Sequence, residues 1–212
     1  MLPYTLETYL GIVARMNQEL WLLALLALLC ATLVAILALR PAGGPVARLI
    51  PLLLAAGWAA TAWLFFGERL LPFFFGAAWL QWLYLGQAAL LVLVALIPGA
   101  GSRAPLLPAA LGMLAMVVAV IGLPMVDLAL GTGWPAARVV GLAPEPTVLL
   151  TCGWLLTRRV GWLHALLAVP LLAAAAMAGY GALALGWWPD WLIPLAAVLA
   201  LALPPWLARP RS

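Results

Sequence analysis

Long runs of apolar residues alternate with short polar turns along almost the whole chain. The runs are bounded by Gly, Pro or Arg, which end helices or mark the edge of a membrane. A membrane-spanning helix needs about 17–25 predominantly apolar residues. Six runs meet this length, at residues 20–39, 46–66, 73–97, 105–130, 160–185 and 191–207. The pattern therefore predicts an all-α integral membrane helical bundle with six full spans within residues 20–207.

A different pattern precedes the first run. Between residues 5 and 19, apolar side chains recur at intervals of three and four, and polar side chains occupy the opposite face. This spacing predicts an amphipathic helix. A charged face opposite an apolar one is typical of helices that lie in the membrane interface. Residues 1–19 are therefore expected to form an interfacial helix, and residues 1–212 a single transmembrane domain.

One stretch interrupts the regular alternation, from Gly131 to Pro146. Its prolines remove backbone donors and disfavour helix at the residues before them, so the chain must unwind there. We expect an unwound stretch over residues 139–145 and a half-helix that starts near Pro146 and Thr147. The apolar segment from Thr147 to Thr157 is about 17 Å long as a helix, too short to span a membrane alone. It is a short, broken fifth segment, which brings the bundle to about seven segments.

The orientation depends on whether this short segment crosses the membrane. The arginines divide seven to three between the two sides in both cases, so their count alone does not decide. If the segment crosses, all six acidic residues fall on one side, and Arg40 and Arg48 follow the first span on the other. We therefore favour the crossing arrangement. It predicts a multi-pass protein of the bacterial inner (plasma) membrane with its N-terminus outside and its C-terminus in the cytoplasm.

Composition narrows the possible functions. The 212 residues are 68% apolar and 8% charged, which excludes a soluble globule. Lys is absent and His occurs once, which excludes a retinal Schiff base and a haem held by two imidazoles. The net charge of +4 comes from residues at loop ends, so no nucleic-acid partner is expected. No cofactor or metal site is predicted either.

Two groups of polar residues could bind a ligand. The free N–H groups at the start of the half-helix would favour an anion or a carbonyl group, and two threonine hydroxyls lie one turn apart there. The third span carries a polar stripe at intervals of three, which should face the bundle interior. The alternatives are a capped outer loop at the break and interhelical hydrogen bonds along the stripe. The hypothetical ligand-binding residues are Gln81, Tyr84, Gln87, Pro144, Glu145, Pro146, Thr147 and Thr151.

Catalytic chemistry is not expected. His164 should lie near the inner boundary, whereas Asp127 and Glu145 should lie near the outer boundary, beyond hydrogen-bond reach of the imidazole. Asp127 is instead expected to pair with Arg138 in the outer loop.

The order of several features along the chain is similar to that of a known family. It includes Asn17 and Trp21, Gly57-Trp58, Gly76 and Gln81, Trp134-Pro135, Gly141, Pro144, Pro146-Thr147, Thr151, Gly153, Pro170 and Asp190. Over nearly its whole length the chain resembles an uncharacterised family of bacterial polytopic membrane proteins, domain of unknown function 6064. Some members are labelled permeases of the major facilitator superfamily. The resemblance implies the multi-span fold and the broken segment, and it implies a Cys between the two prolines where this chain has Glu145.

These observations lead to two hypotheses about function. The first is a permease-like protein that binds or transports a small molecule at the break and the polar stripe. The alternative is an accessory or assembly subunit of a larger membrane complex. The expected partners are the lipid bilayer, a small-molecule ligand, and partner subunits or further copies of the chain.

Overall fold

A computed structural model of the protein describes residues 4–40, 44–97, 102–159 and 163–203. Within these ranges the chain forms nine α-helices and a pair of two-residue strands. The helices are α1 Leu6–Glu19, α2 Trp21–Ala38, α3 Gly44–Ala60, α4 Ala77–Leu96, α5 Leu106–Val117, α6 Leu123–Ala129, α7 Pro144–Thr157, α8 Leu163–Leu185 and α9 Leu192–Ala202. The strands are β1 Ser102–Arg103 and β2 Arg158–Arg159. Residues 41–43 and 98–101, which belong to the turns after the first and third predicted spans, and the C-terminal tail lie outside the described residues.

The all-α membrane-type bundle is confirmed. Within the described ranges, five helices are long and apolar enough to cross a membrane: Trp21–Ala38, Ala47–Leu70, Ala77–Leu96, Leu106–Ala129 and Leu166–Leu185. The last predicted run forms a shorter apolar helix, Trp188–Ala202, and residues 204–207 of that run lie outside the described residues. Large apolar side chains are exposed along these helices, including Trp21 (61%) and Leu29 (60%) on α2.

Two of the long helices contain π-helical turns that the sequence pattern does not predict. Residues Thr61–Leu70 continue α3, and Val118–Gly122 join α5 to α6. In the first stretch the Leu71 N–H donates to the Phe66 carbonyl oxygen over 2.9 Å, as i→i+5 bonding requires. The wider turn lets the adjacent rings of Phe65 and Phe66 both face the core.

Helix α7, the predicted broken segment, occupies the centre of the bundle. All fourteen of its residues are buried, and it contacts α2, α3, α5, α8 and α9. A helix that is apolar on all sides is expected in such a place. At about 1.5 Å per residue it is about 21 Å long, which is shorter than the spans around it.

The loop before α7 and α7 itself together run the length of the bundle. Arg138, in that loop, binds Asp127 near the end of α6. At the end of α7, β2 pairs antiparallel with β1, and the Ala104 N–H donates to the Thr157 carbonyl oxygen over 3.1 Å, next to the start of α5. Because α5 and α6 together form one long span, the loop with Arg138 and α7 together join opposite ends of that span.

The charged residues are divided between these two ends. We call the end with the start of α7 the acidic end, because its elements carry all six acidic residues, Glu7, Glu19, Glu68, Asp127, Glu145 and Asp190. At the opposite end, which we call the arginine end, Arg158 donates to the Arg40 carbonyl oxygen over 2.9 Å. Whether α7 crosses a membrane, and which end faces outside, stays a prediction.

The amphipathic N-terminal helix forms as predicted. Thr5 caps it by accepting the Thr8 N–H over 3.2 Å. Its apolar stripe, Tyr9, Ile12, Val13 and Met16, is buried against the bundle rather than left free for lipid. The placement of α1 at a membrane surface stays a prediction.

Candidate functional site

The break before α7 is shorter than the sequence suggests. The half-helix was expected to start near Pro146 and Thr147, but α7 begins at Pro144. Both prolines fit the first turn because their missing N–H groups would have no intrahelical partner there. The Thr147 hydroxyl donates to the Ala143 carbonyl oxygen over 2.7 Å and accepts the Gly141 N–H over 2.8 Å. Gly141 has a φ of +82°, which lets the loop turn into the helix.

A cluster of three charged side chains lies beside this break. Arg138 binds Asp127 through Nε (3.0 Å to Oδ2) and Nη2 (2.8 Å to Oδ1), and its backbone N–H donates to Oδ2 over 2.9 Å. Its Nη1 binds Asp190, in the turn between α8 and α9. Arg138 and Asp127 are fully buried, and Asp190 is 5% exposed. We call these three residues the Arg138 cluster; the predicted pairing of Asp127 with Arg138 is present in it.

Glu145 is the second residue of α7 and lies next to this cluster. It is 7% exposed, and its Oε2 accepts a hydrogen bond from the Tyr9 hydroxyl over 2.6 Å. Within the part of the chain that the structure describes, this is the one hydrogen bond to the carboxylate. A buried carboxylate normally has more partners than that.

Glu145 lines a cavity of about 60 Å³. Aromatic rings form much of its wall, and Pro144 and Asp190 also line it. At about 10–15 Å³ per water, the volume corresponds to about four to six waters. We call it the Glu145 cavity; its aromatic residues are Tyr4, Tyr9, Phe65, Phe66 and Tyr84.

The electrostatics at this end favour positive charge or protons. Burial, and then the Glu145 carboxylate, raise the pKa of Asp190 to about 7. The same two causes raise the pKa of Tyr4 to about 12 and the pKa of Tyr9 well above its usual value. Each shift disfavours a further negative charge, so the site holds its protons more tightly than the same groups would in water.

The structure brings three of the eight predicted ligand-binding residues together. Tyr84, Pro144 and Glu145 line the Glu145 cavity. Thr147 lines a separate, mainly apolar cavity of about 140 Å³ between α2 and α3. Thr151 accepts a hydrogen bond from Trp58 Nε1 over 2.8 Å. Pro146 is buried inside α7.

The polar stripe of α4 is also divided. The half-buried Gln81 side chain packs against Gly67. The amide of Gln87 is fully buried, and none of the described residues donates to it or accepts from it. Tyr84, between them, stacks on Trp58 with ring centroids 4.4 Å apart.

The sequence interpretation missed two residues of the site. Tyr9 belongs to the apolar stripe of α1. The spacing of apolar residues shows that Tyr9 faces the core, but it does not show that its hydroxyl has a polar partner there. Asp190 follows Pro189 in a turn, where an exposed acid is the ordinary expectation. Asp190 directly precedes Trp191, where an apolar run starts, and this was the one sign in the sequence that Asp190 is buried.

His164 lies at the other end of the molecule. Its Nε2 lies 2.8 Å from the Ala200 carbonyl oxygen. Helix α8, about 34 Å long, separates it from the turn with Asp190. No group of three His, Cys, Asp or Glu side chains in the described ranges is arranged to hold a metal ion.

Comparison with known proteins places the chain in a family. No curated protein and no solved structure matches it. The sequence model of one family, described as "Family of unknown function (DUF6064)", matches residues 6–209. Because this match covers almost the whole chain, the protein belongs to the DUF6064 family.

Proposed function

We propose that the protein is a multi-pass membrane protein that binds a small organic cation in the Glu145 cavity, as a permease-like binding or transport protein would. The observation that carries the proposal is a buried carboxylate with one hydrogen bond among the described residues, facing a cavity whose lining includes five aromatic side chains. A cation over aromatic faces is attracted by their quadrupoles, and quaternary ammonium groups are recognised in this way. A nearby carboxylate adds a direct charge interaction.

The size of the cavity limits the ligand. Space for about four to six waters suits a cation of about five non-hydrogen atoms, such as a methylated ammonium ion. Aromatic side chains from α1, from the π-helical part of α3 and from α4 would surround it, and Glu145 of α7 would face its charge. Such a site links the N-terminal helix to the centre of the bundle.

Thermal unfolding of the purified protein, followed by its Trp fluorescence, tests the proposal. Tetramethylammonium chloride should raise the melting temperature relative to equal NaCl, because a ligand that binds the folded state stabilises it. Glu145→Gln should weaken the apparent affinity at least about tenfold, because tetramethylammonium has no N–H to donate and the substitution removes the negative charge that attracts it, an interaction of about 4 kcal/mol at a separation of about 4 Å and an effective dielectric constant of about 20.

Glu7→Gln is the matched control. It removes an exposed carboxylate at the same end of the bundle and should leave the response to tetramethylammonium unchanged. An equal response in the wild type and in Glu145→Gln would contradict a site at Glu145.

One observation favours the alternative role of an accessory or assembly subunit. Phe75, Trp79 and Trp82 are 83%, 77% and 69% exposed at the acidic end of α4. Aromatic residues are enriched both in interfaces with partner chains and in the belt at a membrane surface. Native mass spectrometry of the protein in nanodiscs taken directly from its own membrane separates the two roles. Stoichiometric foreign subunits would support the accessory role, and a retained small cation on the chain alone would support the binding role.

A further inference from the structure

The Glu145 cavity and the Arg138 cluster form one connected polar site. Asp190 lines the cavity beside Glu145, and it also binds Arg138, which holds Asp127. Charge at any one of these groups therefore acts on the others, because buried charges are screened less than charges in bulk water.

The charges of this site do not balance. With all three carboxylates ionised and Arg138 charged, the site carries a net charge of −2. The four side chains are at least nine-tenths buried. Buried charge without compensation is costly, so groups in such places take up protons or bind counter-charges. One proton reduces the net charge to −1, and one bound monovalent cation has the same effect.

We propose that the protein exchanges one proton for one organic monocation at this site. The empty site holds the proton on the carboxyl group of Asp190, which lines the cavity beside Glu145. When the cation binds, the O–H bond of that carboxyl group breaks and the proton leaves to solvent. Nothing is oxidised or reduced, and the buried site keeps a net charge of −1 in both states. This inference rests on the proposed function, since it describes how the same cavity accepts its ligand.

The other groups around the site are poor alternatives for the proton. Tyr4 before α1, Tyr9 of α1 and Tyr84 of α4 are phenols with an ordinary pKa near 10. The pKa values of Tyr4 and Tyr9 are raised further. They keep their protons near neutral pH. Both carboxylate oxygens of Asp127 in α6 already accept hydrogen bonds from Arg138. The pKa of Asp190, raised to about 7 mainly by burial, agrees with a proton that leaves near neutral pH.

Isothermal titration calorimetry of the protein in nanodiscs tests the exchange. Tetramethylammonium chloride is titrated at pH 7 in phosphate and in Tris, whose ionisation enthalpies differ, so the difference in heat counts the protons released. We expect between about half a proton and one proton released per cation at pH 7. The apparent Kd should rise about tenfold from pH 6 to pH 5, because protons then compete with the cation, and it should level off above pH 8.

Asp190→Asn is the diagnostic variant. In this variant the carboxylates of Glu145 and Asp127 and the guanidinium of Arg138 give a net charge of −1, so the empty site needs no proton. Binding should therefore release no proton, and the Kd should vary little between pH 6 and pH 8. Glu7→Gln is the control and should release protons as the wild type does. If Asp190→Asn does not fold, the buffer and pH series on the wild type decides the matter.

The outcomes separate the two proposals. Binding with heats that are independent of buffer would overturn the exchange and leave the cation site standing. No binding of tetramethylammonium at any pH would overturn both.

Discussion

The hydroxyl of Thr151 shows how a single polar atom is used in an apolar core. It donates to the Thr147 carbonyl oxygen over 2.9 Å and accepts the Trp58 N–H over 2.8 Å. Trp58 and Thr151 are both fully buried. A buried indole N–H without an acceptor costs the full desolvation of that group, so this hydrogen bond ties α3 to α7.

A double-mutant cycle at these two residues tests this role. Thr151→Val should lower the free energy of unfolding by about 1–3 kcal/mol, because it leaves the Trp58 N–H buried and unpaired. Adding Trp58→Phe should cost less than the sum of the two single changes, as expected for residues in contact. The measurement is reversible unfolding in detergent. Additive effects would show that the bond contributes nothing measurable.

The Thr151→Val variant also separates a structural role for Thr151 from a ligand-binding role. If Thr151 contacted the ligand, Thr151→Val would reduce the stabilisation by tetramethylammonium. We expect that stabilisation to be unchanged, because Thr151 does not line the Glu145 cavity.

At the scale of the residue, the sequence allowed part of the site to be predicted. The pairing of Asp127 with Arg138 was predictable because an acid at a span end and a basic residue in the next loop are near in the chain. The contact of Tyr9 with Glu145 was not, since 136 positions separate them. Long-range partners of this kind depend on how helices pack, which a single sequence does not encode as a local pattern.

At the scale of the element, α5 and α7 approach each other through two glycines. A Cβ on Gly153 would lie 2.6 Å from Met116 Cγ and 2.7 Å from the Gly112 carbonyl oxygen. A Cβ on Gly112 would in turn clash with the Gly153 carbonyl oxygen. Small residues allow such close backbone contact between membrane helices, where packing supplies much of the association energy.

Gly153→Ala should therefore push the two helices apart. We expect a loss of about 1–3 kcal/mol of stability, the usual cost of overpacking, seen as a lower melting temperature. Gly86→Ala is the control: a Cβ there has no atom within 4 Å, so the melting temperature should stay the same or rise slightly. Equal melting temperatures for Gly153→Ala and the wild type would show that the α5–α7 contact can relax at no cost.

The helices themselves were largely predictable, because apolar runs of membrane length carry a strong signal. The start of α7 was predicted two residues late. Pro144 and Pro146 indicate a break in the sequence, although both fit the first turn of a helix. The π-helical turns at Thr61–Leu70 and Val118–Gly122 were not predicted. In the first of these stretches the adjacent Phe65 and Phe66 are both buried, which fits packing against neighbouring helices. The periodicity of an α-helix does not predict such a turn.

At the scale of the whole molecule, charge is divided along the long axis of the bundle. Acids and the Arg138 cluster lie at one end, and Arg40 and Arg158 lie at the other. Excess arginine marks the cytoplasmic side of membrane proteins. The acidic end, with the Glu145 cavity, is then expected to face the outside.

Cysteine labelling tests this orientation. In a background with Cys30 and Cys152 replaced by Ala, Phe75→Cys at the acidic end should react with a membrane-impermeant maleimide in intact cells. Arg40→Cys, exposed at the opposite end, should react only after the membrane is opened. The reverse pattern would place the Glu145 cavity on the cytoplasmic side.

The separation of Arg138 from Asp190 along the chain also bears on how the protein is made. Arg138 emerges from the ribosome long before Asp190, and α8 must cross the bundle in the interval. Before Asp190 is made, Arg138 Nη1 lacks the acceptor that it has in the folded protein, and an unpaired buried donor is costly where no water reaches it. We therefore expect α7 to take its central place only after α8 and the turn behind it have been synthesised. A nascent chain that stops before residue 190 would lack the acceptor for this N–H group.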